Sequence, residues 1–435
     1  MILLSNVKKL YDGTGSSKKA LHEHVDVFIE KGKIASVKPH DPKFKSNESV
    51  STVDCSSYTV TPGLFDCHSH LTIFGLSPLD IDRMHGVEAP FYIEKILHTS
   101  LVDGGVTTMR DIGGATHVVK RLVDQGVLIG PRLKIAICML STTGGHADHR
   151  SPDRCHADIS PIMREGPGRP SSVVDGPDEC RKRVREIVAC GADVIKLCTS
   201  PGIASPGDKL ENRDFTPAEI EAICDEAKGR GLRVAAHAHS KDGIRLAIEN
   251  GVHDIQHISF MDKALAEKAH KKGCTVTPTS WIMYELRKIK EWSPLILEKI
   301  KVATEAHTTA VEYAKRGGLK ILAGTDNVLH GMHGRNFMEL TCLIQDGLSP
   351  LEAWYAATGA AAGEIGQGDT GEIKTGKRAD LLICKEGVFD KPELLGSGHL
   401  LEVIKDGLGH RGLKGIPQRT FVQTVQETLA KAAPP

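Results

Sequence analysis

Short β-branched and apolar runs alternate with helical stretches through the middle of this chain. One spacer, TPAEIEAICDEAKGRG, opens with a capping box of Thr216 and Glu219 and stops at Gly231, as expected of a helix. Eight such runs with helical spacers predict an α/β fold, a (β/α)8 barrel. The candidate strands are GLFDC at 63, TTMRDIG at 107, RLKIAICML at 132, DVIKLC at 193, RVAAHAH at 233, HDIQHIS at 253, CTVTPTS at 274 and KILAGTD at 320.

The two ends of the chain have a different pattern from the middle. Val25, Val27 and Ile29 alternate before the turn KGK, and a similar strand-rich texture returns in GEIKTGKRADLLICKEG at 371–387. We therefore predict one small sheet domain built from residues 1–60 and 366–420, a barrel over 61–365, and a tail over 421–435.

Two connections are longer than a plain barrel needs. Residues 139–177 follow the third strand, and a Trp-containing helical segment follows the seventh. Loops after barrel strands lie on the active face, so both are candidate substrate walls or lids.

Charge and apolar patterning exclude several classes of partner. The formal net charge of the 435 residues is zero, so nothing favours nucleic acid. No run reaches the roughly 18 to 20 apolar residues of a membrane span, and the start MILLSN is too short for a signal sequence. Eleven cysteines without a CxxC pair argue against a disulfide framework. We expect a soluble, cytoplasmic protein.

Side chains that can bind metals fall at the carboxyl ends of five predicted strands, where a barrel places its chemistry. Residues two apart in a strand share a face, so His68 and His70 can both point into the barrel mouth. One buried histidine alone is more often a core residue, but the joint pattern favours a site for two divalent ions such as zinc. The set consists of His68, His70, Lys196, His237, His257 and Asp326.

Lys196 lies in an apolar run between Ile195 and Leu197. An ammonium beside two cations would be repelled, so the lysine is expected to lose its proton or to be modified. Reaction of the neutral amine with carbon dioxide gives a carbamate, whose two oxygens could bridge two ions. The alternative is a surface or salt-bridged lysine.

Several motifs resemble those of the amidohydrolase superfamily in its binuclear form with a carbamylated lysine. They are PGLFDCHSH, VIKLC, AAHAHS, DIQHIS and LAGTDN, and GEIKTGKRADLLI resembles the returning segment of the superfamily's β-sandwich. More narrowly, GGVTTMRDIGG, TTGGHADH and HAHS are similar to the branch of imidazolonepropionase-related hydrolases, Xaa-Pro dipeptidases, aminoacyl carboxypeptidases and ochratoxinase. The resemblance covers nearly the whole chain and implies a TIM barrel with a β-sandwich built from both termini.

The resemblance also implies a ligand set and an assembly. One ion would be held by His68, His70 and Asp326, the other by His237 and His257, with carboxylated Lys196 between them. Zinc is the default, and manganese or cobalt would fit the same ligands. Many relatives form tetramers or octamers, so a homo-oligomer is expected.

The implied chemistry is hydrolysis of an amide bond. A water shared by two cations has a pKa low enough to supply hydroxide near neutral pH. Asp326 would take the proton of that water and pass it to the leaving amine. His146 follows two glycines in the loop after the third strand and is the candidate donor to the tetrahedral intermediate; the alternative is a histidine that only closes the loop.

Weaker candidates for substrate contact lie in loops, where charged residues usually face solvent. His239 would either sit beside the substrate or pack at its strand end, and Trp281 with Tyr284 would form an apolar wall or core. The candidates for the substrate carboxylate or the pocket lining are His149, Arg150, Arg335, His330 and His333.

The predicted function is metal-dependent hydrolysis of a small amide that carries a free carboxylate. Candidate substrates are a dipeptide such as Xaa-Pro, an N-acyl amino acid, or an ochratoxin-like amide. One alternative is a deaminase or imidazolone-type cyclic amide hydrolase with a single ion, against which Lys196 argues. Another is a catalytically inactive assembly subunit, against which the complete ligand set argues.

Overall fold

The structure, a computed structural model, describes residues 1–44, 49–75, 86–148, 165–203 and 209–419. The first 62 residues form short strands. These are β1 (Ile2–Val7), β2 (Lys9–Tyr11), β3 (Leu21–His22), β4 (Val25–Glu30), β5 (Lys33–Pro39), β6 (Ser51–Asp54) and β7 (Thr59–Pro62).

Parallel strands and helices alternate through the middle of the chain. The strands are β8 (Leu64–Ser69), β9 (Val106–Asp111), β10 (Arg132–Ile135), β11 (Met139–Leu140), β12 (Val194–Cys198), β13 (Arg233–Ala238), β14 (Asp254–His257), β15 (Thr275–Thr277) and β16 (Lys320–Ile321). The helices are α1 (Ala89–Val102), α2 (His117–Asp124), α3 (Pro177–Ala189), α4 (Pro217–Gly229), α5 (Lys241–Glu249), α6 (Lys263–Lys271), α7 (Ser280–Leu286), α8 (Pro294–Arg316), α9 (Met338–Gln345), α10 (Pro350–Ala356) and α11 (Gly359–Glu364). The chain then returns through β17 (Leu381–Cys384), β18 (Leu400–Lys405) and β19 (Leu408–Gly409).

The parallel strands form two sheets, β8 to β10 and β11 to β16, which close on each other. The Cys67 amide donates to the Ala323 carbonyl at 2.9 Å, and the Asp193 amide donates to the Ile135 carbonyl at 2.8 Å. The third predicted strand is divided into β10 and β11 because Ile137 has a φ of 68°, outside the extended region. In the described part of the chain, all eight predicted strand segments form strands of this barrel.

A β-sandwich stands beside the barrel. One sheet has the order β5-β4-β1-β6 and the other β19-β18-β17-β7-β2-β3, so strands from both ends of the chain share a sheet. Leu4, Val60 and Leu381 are among the buried side chains of an apolar cluster contributed by both ends of the chain. The predicted fold class is confirmed, and the exact domain bounds stay a prediction.

The helix start predicted from the sequence is also present in the structure. Thr216 and Glu219 make the capping box at the start of α4. No helix among the described residues is long and apolar enough to cross a bilayer.

Strand alternation decides what faces the barrel interior. Ile195 and Leu197 belong to the main apolar cluster of the chain. Lys196 between them therefore points inward, where it is 1% exposed.

Candidate metal centre

One histidine pair and a carboxylate meet at the carboxyl ends of β8 and β16. Asp326 Oδ1 lies 3.4 Å from His68 Nε2 and 3.5 Å from His70 Nε2. Both histidines are buried, and 17% of the Asp326 side chain is exposed. These three residues offer converging nitrogen and oxygen ligand atoms.

A second histidine group adjoins the first from β13 and β14. His237, His239 and His257 present ring nitrogens that lie within 4.8 Å of one another. The His257 ring centroid is 4.7 Å from that of His68, and His257 Nδ1 is 4.0 Å from Asp326 Oδ2. The two groups are thus neighbours in one buried centre.

Unusual backbone conformations aim some of these side chains. His257 has a φ of 68° and Asp326 a φ of 47°, both in the left-handed region that non-glycine residues seldom adopt. In β14, Asp254 and Gln256 face the barrel interior, so regular alternation would point His257 outward. The left-handed turn at the strand end brings it back to the centre.

Hydrogen bonds behind the histidines fix which nitrogen carries the proton. His70 Nδ1 lies 2.9 Å from the Gly113 carbonyl, and His237 Nε2 lies 3.3 Å from the Pro201 carbonyl. A carbonyl only accepts, so each of these nitrogens donates and the other nitrogen of the ring keeps its lone pair for the centre.

The donor set fits divalent cations. The lone pair of neutral His70 Nε2 faces a carboxylate oxygen at 3.5 Å, an arrangement that calls for a positive charge between them. Burial lowers the pKa of His70, but the hydrogen bond and charge of Asp326 outweigh it and raise that pKa, so a proton can substitute for a cation. Burial, followed by the other histidines, holds the pKa values of His237 and His257 well below normal. Among described residues, buried His68 Nδ1 has no hydrogen-bond partner.

Lys196 lies inside the barrel below the histidines. Burial lowers its pKa to about 8. Its ammonium nitrogen is hydrogen-bonded to Gln256 Oε1, and no ion pair of Lys196 occurs among the described residues. Such a lysine is more readily neutral than one at the surface.

His146 reaches the centre from the loop after the third barrel strand. Its ring stacks on that of His237 with centroids 4.1 Å apart and planes at 21°. Its amide donates to Asp214 Oδ2 at 2.9 Å. The residue is half-buried.

The weaker sequence candidates are distributed around the mouth. His239 is buried against His257 with ring centroids 4.6 Å apart, and His239 Nδ1 is 2.8 Å from Ser259 Oγ. His330 is exposed, whereas His333 Nε2 lies 2.8 Å from the Ile73 carbonyl. His149 and Arg150 lie outside the described residues.

The aromatic candidates after the seventh strand are packed into the protein. Trp281 is 1% exposed within an apolar cluster, which favours the core reading. Tyr284 is half-buried, and its hydroxyl donates to Asp346 Oδ1 at 2.9 Å. Arg335 is exposed, with its guanidinium 5.9 Å from the Trp281 ring centroid.

Sequence reasoning missed the residues that support the centre. Asp66 accepts hydrogen bonds from the His68 amide at 3.1 Å, the Thr325 hydroxyl at 2.6 Å and the Asn336 amide at 2.7 Å. Burial raises the pKa of Asp66. Its place two residues before His68 on an inward face was an available signal. Thr279, whose hydroxyl oxygen is hydrogen-bonded to His257, gave no such signal in the sequence.

The fold and the centre define the class, a (β/α)8 barrel with a histidine-rich buried centre at its strand ends. The chain belongs to the amidohydrolase family, which it matches over residues 59–408. The predicted resemblance is therefore confirmed.

Named relatives include two kinds of hydrolase. Ochratoxinase of Aspergillus niger is 30% identical over 353 residues, covering 76% of this chain and 72% of the relative. Imidazolonepropionase of Geobacillus sp. (strain WCH70) is 26% identical over an alignment of 444 positions, which covers 93% of this chain and 97% of the relative.

Solved structures that resemble this one also include hydrolases. A Xaa-Pro dipeptidase with bound methionine superposes with a TM-score of 0.83 at 28% identity, covering 94% of this chain and all (100%) of the other. The A. niger ochratoxinase superposes with a TM-score of 0.82 at 25% identity, covering 95% of this chain and 96% of the other.

Proposed function

We propose that this protein hydrolyses an amide bond in a small substrate that carries a free carboxylate, using two divalent metal ions. The observation that carries the proposal is the single buried centre of His68, His70, His237, His257 and Asp326, in which His70 and His237 each donate from one ring nitrogen and keep the lone pair of the other as a ligand. The substrate class is supported by the relatives named ochratoxinase and Xaa-Pro dipeptidase.

His68, His70 and Asp326 would hold one ion, His237 and His257 the other, and carboxylated Lys196 would bridge them. Zinc suits imidazole and carboxylate ligands, and manganese or cobalt would also fit. When bound, two such cations acidify a water enough for it to attack near neutral pH, and they polarise the scissile carbonyl.

Asp326 is the group that moves protons. Burial would raise its pKa, but when protons take the place of cations at the centre, the His68 charge and hydrogen bonds from His68 and His70 outweigh burial and hold that pKa well below normal. The ionised carboxylate lies between the two histidine groups, and its side chain is 17% exposed. It takes the proton of the attacking water and delivers it to the leaving amine nitrogen.

His146 donates a hydrogen bond to the carbonyl oxygen as negative charge develops there. Its stacking on His237 and its half-buried position support this role. His239, His330, His333, His149 and Arg150 are proposed to contact the rest of the substrate. A homo-oligomeric state, tetramer or octamer, and a cytoplasmic location stay predictions.

The test is elemental analysis of the purified protein, coupled to a screen of dipeptides, N-acyl amino acids and ochratoxin-like amides for amine release. Lys196→Ala is compared with Lys263→Ala, which removes a lysine whose side chain is 80% exposed on α6. We expect two ions per chain and hydrolysis that collapses only in Lys196→Ala. One ion, with activity indifferent to Lys196, would favour the mononuclear deaminase or cyclic amide hydrolase. Little metal and no hydrolysis would favour the inactive subunit.

A further inference from the structure

A chain of buried polar side chains crosses the barrel interior beneath the histidines. It runs from Arg110 to Asp254, Gln256 and Lys196, and none of the four is more than 5% exposed. Arg110 bonds Asp254, the Gln256 amide donates to Asp254 Oδ2 at 3.0 Å, and Lys196 donates to Gln256 Oε1. Arg110 is also anchored by the Cys67 carbonyl at 2.6 Å.

The hydrogen bonds among these polar side chains fix which way the Gln256 amide points. Asp254 is ionised, because Arg110 outweighs the effect of burial and holds its pKa below normal. A carboxylate only accepts, so the NH2 end of the Gln256 amide must face it. The Thr277 hydroxyl, 2.9 Å from Asp254 Oδ1, holds the carboxylate in place. Gln256 Oε1 is therefore directed at Lys196 as an acceptor.

This acceptor matches a carboxylated lysine. The neutral Lys196 nitrogen attacks the carbon of carbon dioxide, an N–C bond forms, one C=O electron pair moves onto oxygen, and one N–H proton leaves to solvent. The carbamate nitrogen keeps a single hydrogen, and its bonds lie in one plane. Because the nitrogen is trigonal, binding that hydrogen fixes the plane of the carbamate and keeps its carboxylate pointed away from the Gln256 oxygen.

We propose that Gln256 is the positioning residue for carboxylated Lys196: its Oε1 accepts the remaining N–H and turns the carboxylate away from the barrel floor, toward the histidines and Asp326. The proposal rests on the bridging carbamate of the proposed function and adds the residue that orients it. Gln256 acts through Lys196 and does not touch substrate.

The test measures carboxylation directly. Metal-free protein prepared in buffer depleted of carbon dioxide is titrated with 13C-bicarbonate at fixed Zn2+. The carbamate resonance is followed by 13C NMR, and bound metal by elemental analysis. Gln256→Met removes the amide at similar length. The matched control Thr107→Val removes a buried hydroxyl that has no hydrogen-bond partner among the described residues and takes no part in these hydrogen bonds.

We expect Gln256→Met to need on the order of tenfold more bicarbonate for half-maximal carboxylation, from the loss of one buried hydrogen bond. Thr107→Val should titrate like the parent protein. Gln256→Asn, whose amide is one methylene short of Lys196, should repeat the result and serves if the methionine variant misfolds.

Equal bicarbonate requirements in the parent and both Gln256 variants would overturn the positioning role while leaving the carbamate bridge standing. A parent protein that hydrolyses amides without any carbamate resonance would overturn the bridge and this role together. A structural defect alone would change thermal unfolding without changing the bicarbonate midpoint, and that result also overturns the proposal.

Discussion

Thr279 provides a sharp test of how the histidine centre is built. The residue is fully buried and has a φ of 57°. Its hydroxyl donates to the Pro278 carbonyl at 2.6 Å, and its oxygen lies 2.8 Å from His257 Nδ1. Because the hydroxyl proton is already used, His257 Nδ1 must donate, which leaves Nε2 with the lone pair.

Thr279→Val would remove that acceptor at constant shape. His257 is 2% exposed, and Asp326 Oδ2, at 4.0 Å, is too distant from Nδ1 to replace the lost acceptor. A buried donor without a partner costs about 1 to 3 kcal/mol, which corresponds to roughly 5- to 150-fold in metal affinity. Loss of a residue that orients a metal-binding histidine typically costs about 10- to 100-fold, in the same range.

The assay is competition of the protein with a chromogenic chelator for Zn2+, with Thr279→Ser as the control that keeps the hydroxyl. Valine is branched like threonine and serine keeps the hydroxyl, so the comparison isolates the hydrogen bond. We expect a 10- to 100-fold weaker affinity at one ion site for valine and a small change for serine. A valine variant within twofold of the parent, or a serine variant that loses as much as valine, would refute this account.

Three further predictions concern pH, the buried ion pair and the metal. Burial lowers the pKa of His307 from 6.5 to about 4, so its contribution to stability is complete above pH 6.5 and about 3 kcal/mol is lost as the pH falls to 4. Urea midpoints against pH should fall less steeply for His307→Gln than for the parent, and parallel curves would contradict the prediction. Asp254→Leu leaves buried Arg110 unpaired and should lower the free energy of unfolding in denaturant by about 3 to 5 kcal/mol. Adding Arg110→Met should recover most of that loss, and an equal loss in the single and double variants would argue against the ion pair. Dialysis against a chelator should abolish hydrolysis, and Zn2+ should restore it only with bicarbonate present; recovery in buffer free of carbon dioxide would exclude the carbamate.

Local patterns in the sequence were enough for the architecture. The alternation of apolar runs with helices predicted each barrel strand, because periodicity and capping depend on neighbours in the chain. The pairing of β17 with β7 was indicated in the sequence only by the similar strand-rich pattern at the two ends of the chain. The His-X-His spacing placed His68 and His70 on one face, since both lie along a single strand.

Other parts of the centre depended on the tertiary structure. Regular alternation points His257 away from the barrel interior, and only its left-handed backbone aims it inward. Lys196 meets Gln256 across 60 positions of sequence, and His257 meets Thr279 from the next strand. The sequence by itself determined the barrel, a small sheet domain shared by both termini and the candidate ligand types, since these follow from local periodicity and residue chemistry; the sandwich form of that domain was implied by the resemblance to the superfamily. Which nitrogen faces the centre and which amide oxygen faces Lys196 were decided only when distant strands came together, because a hydrogen bond depends on the position of both partners.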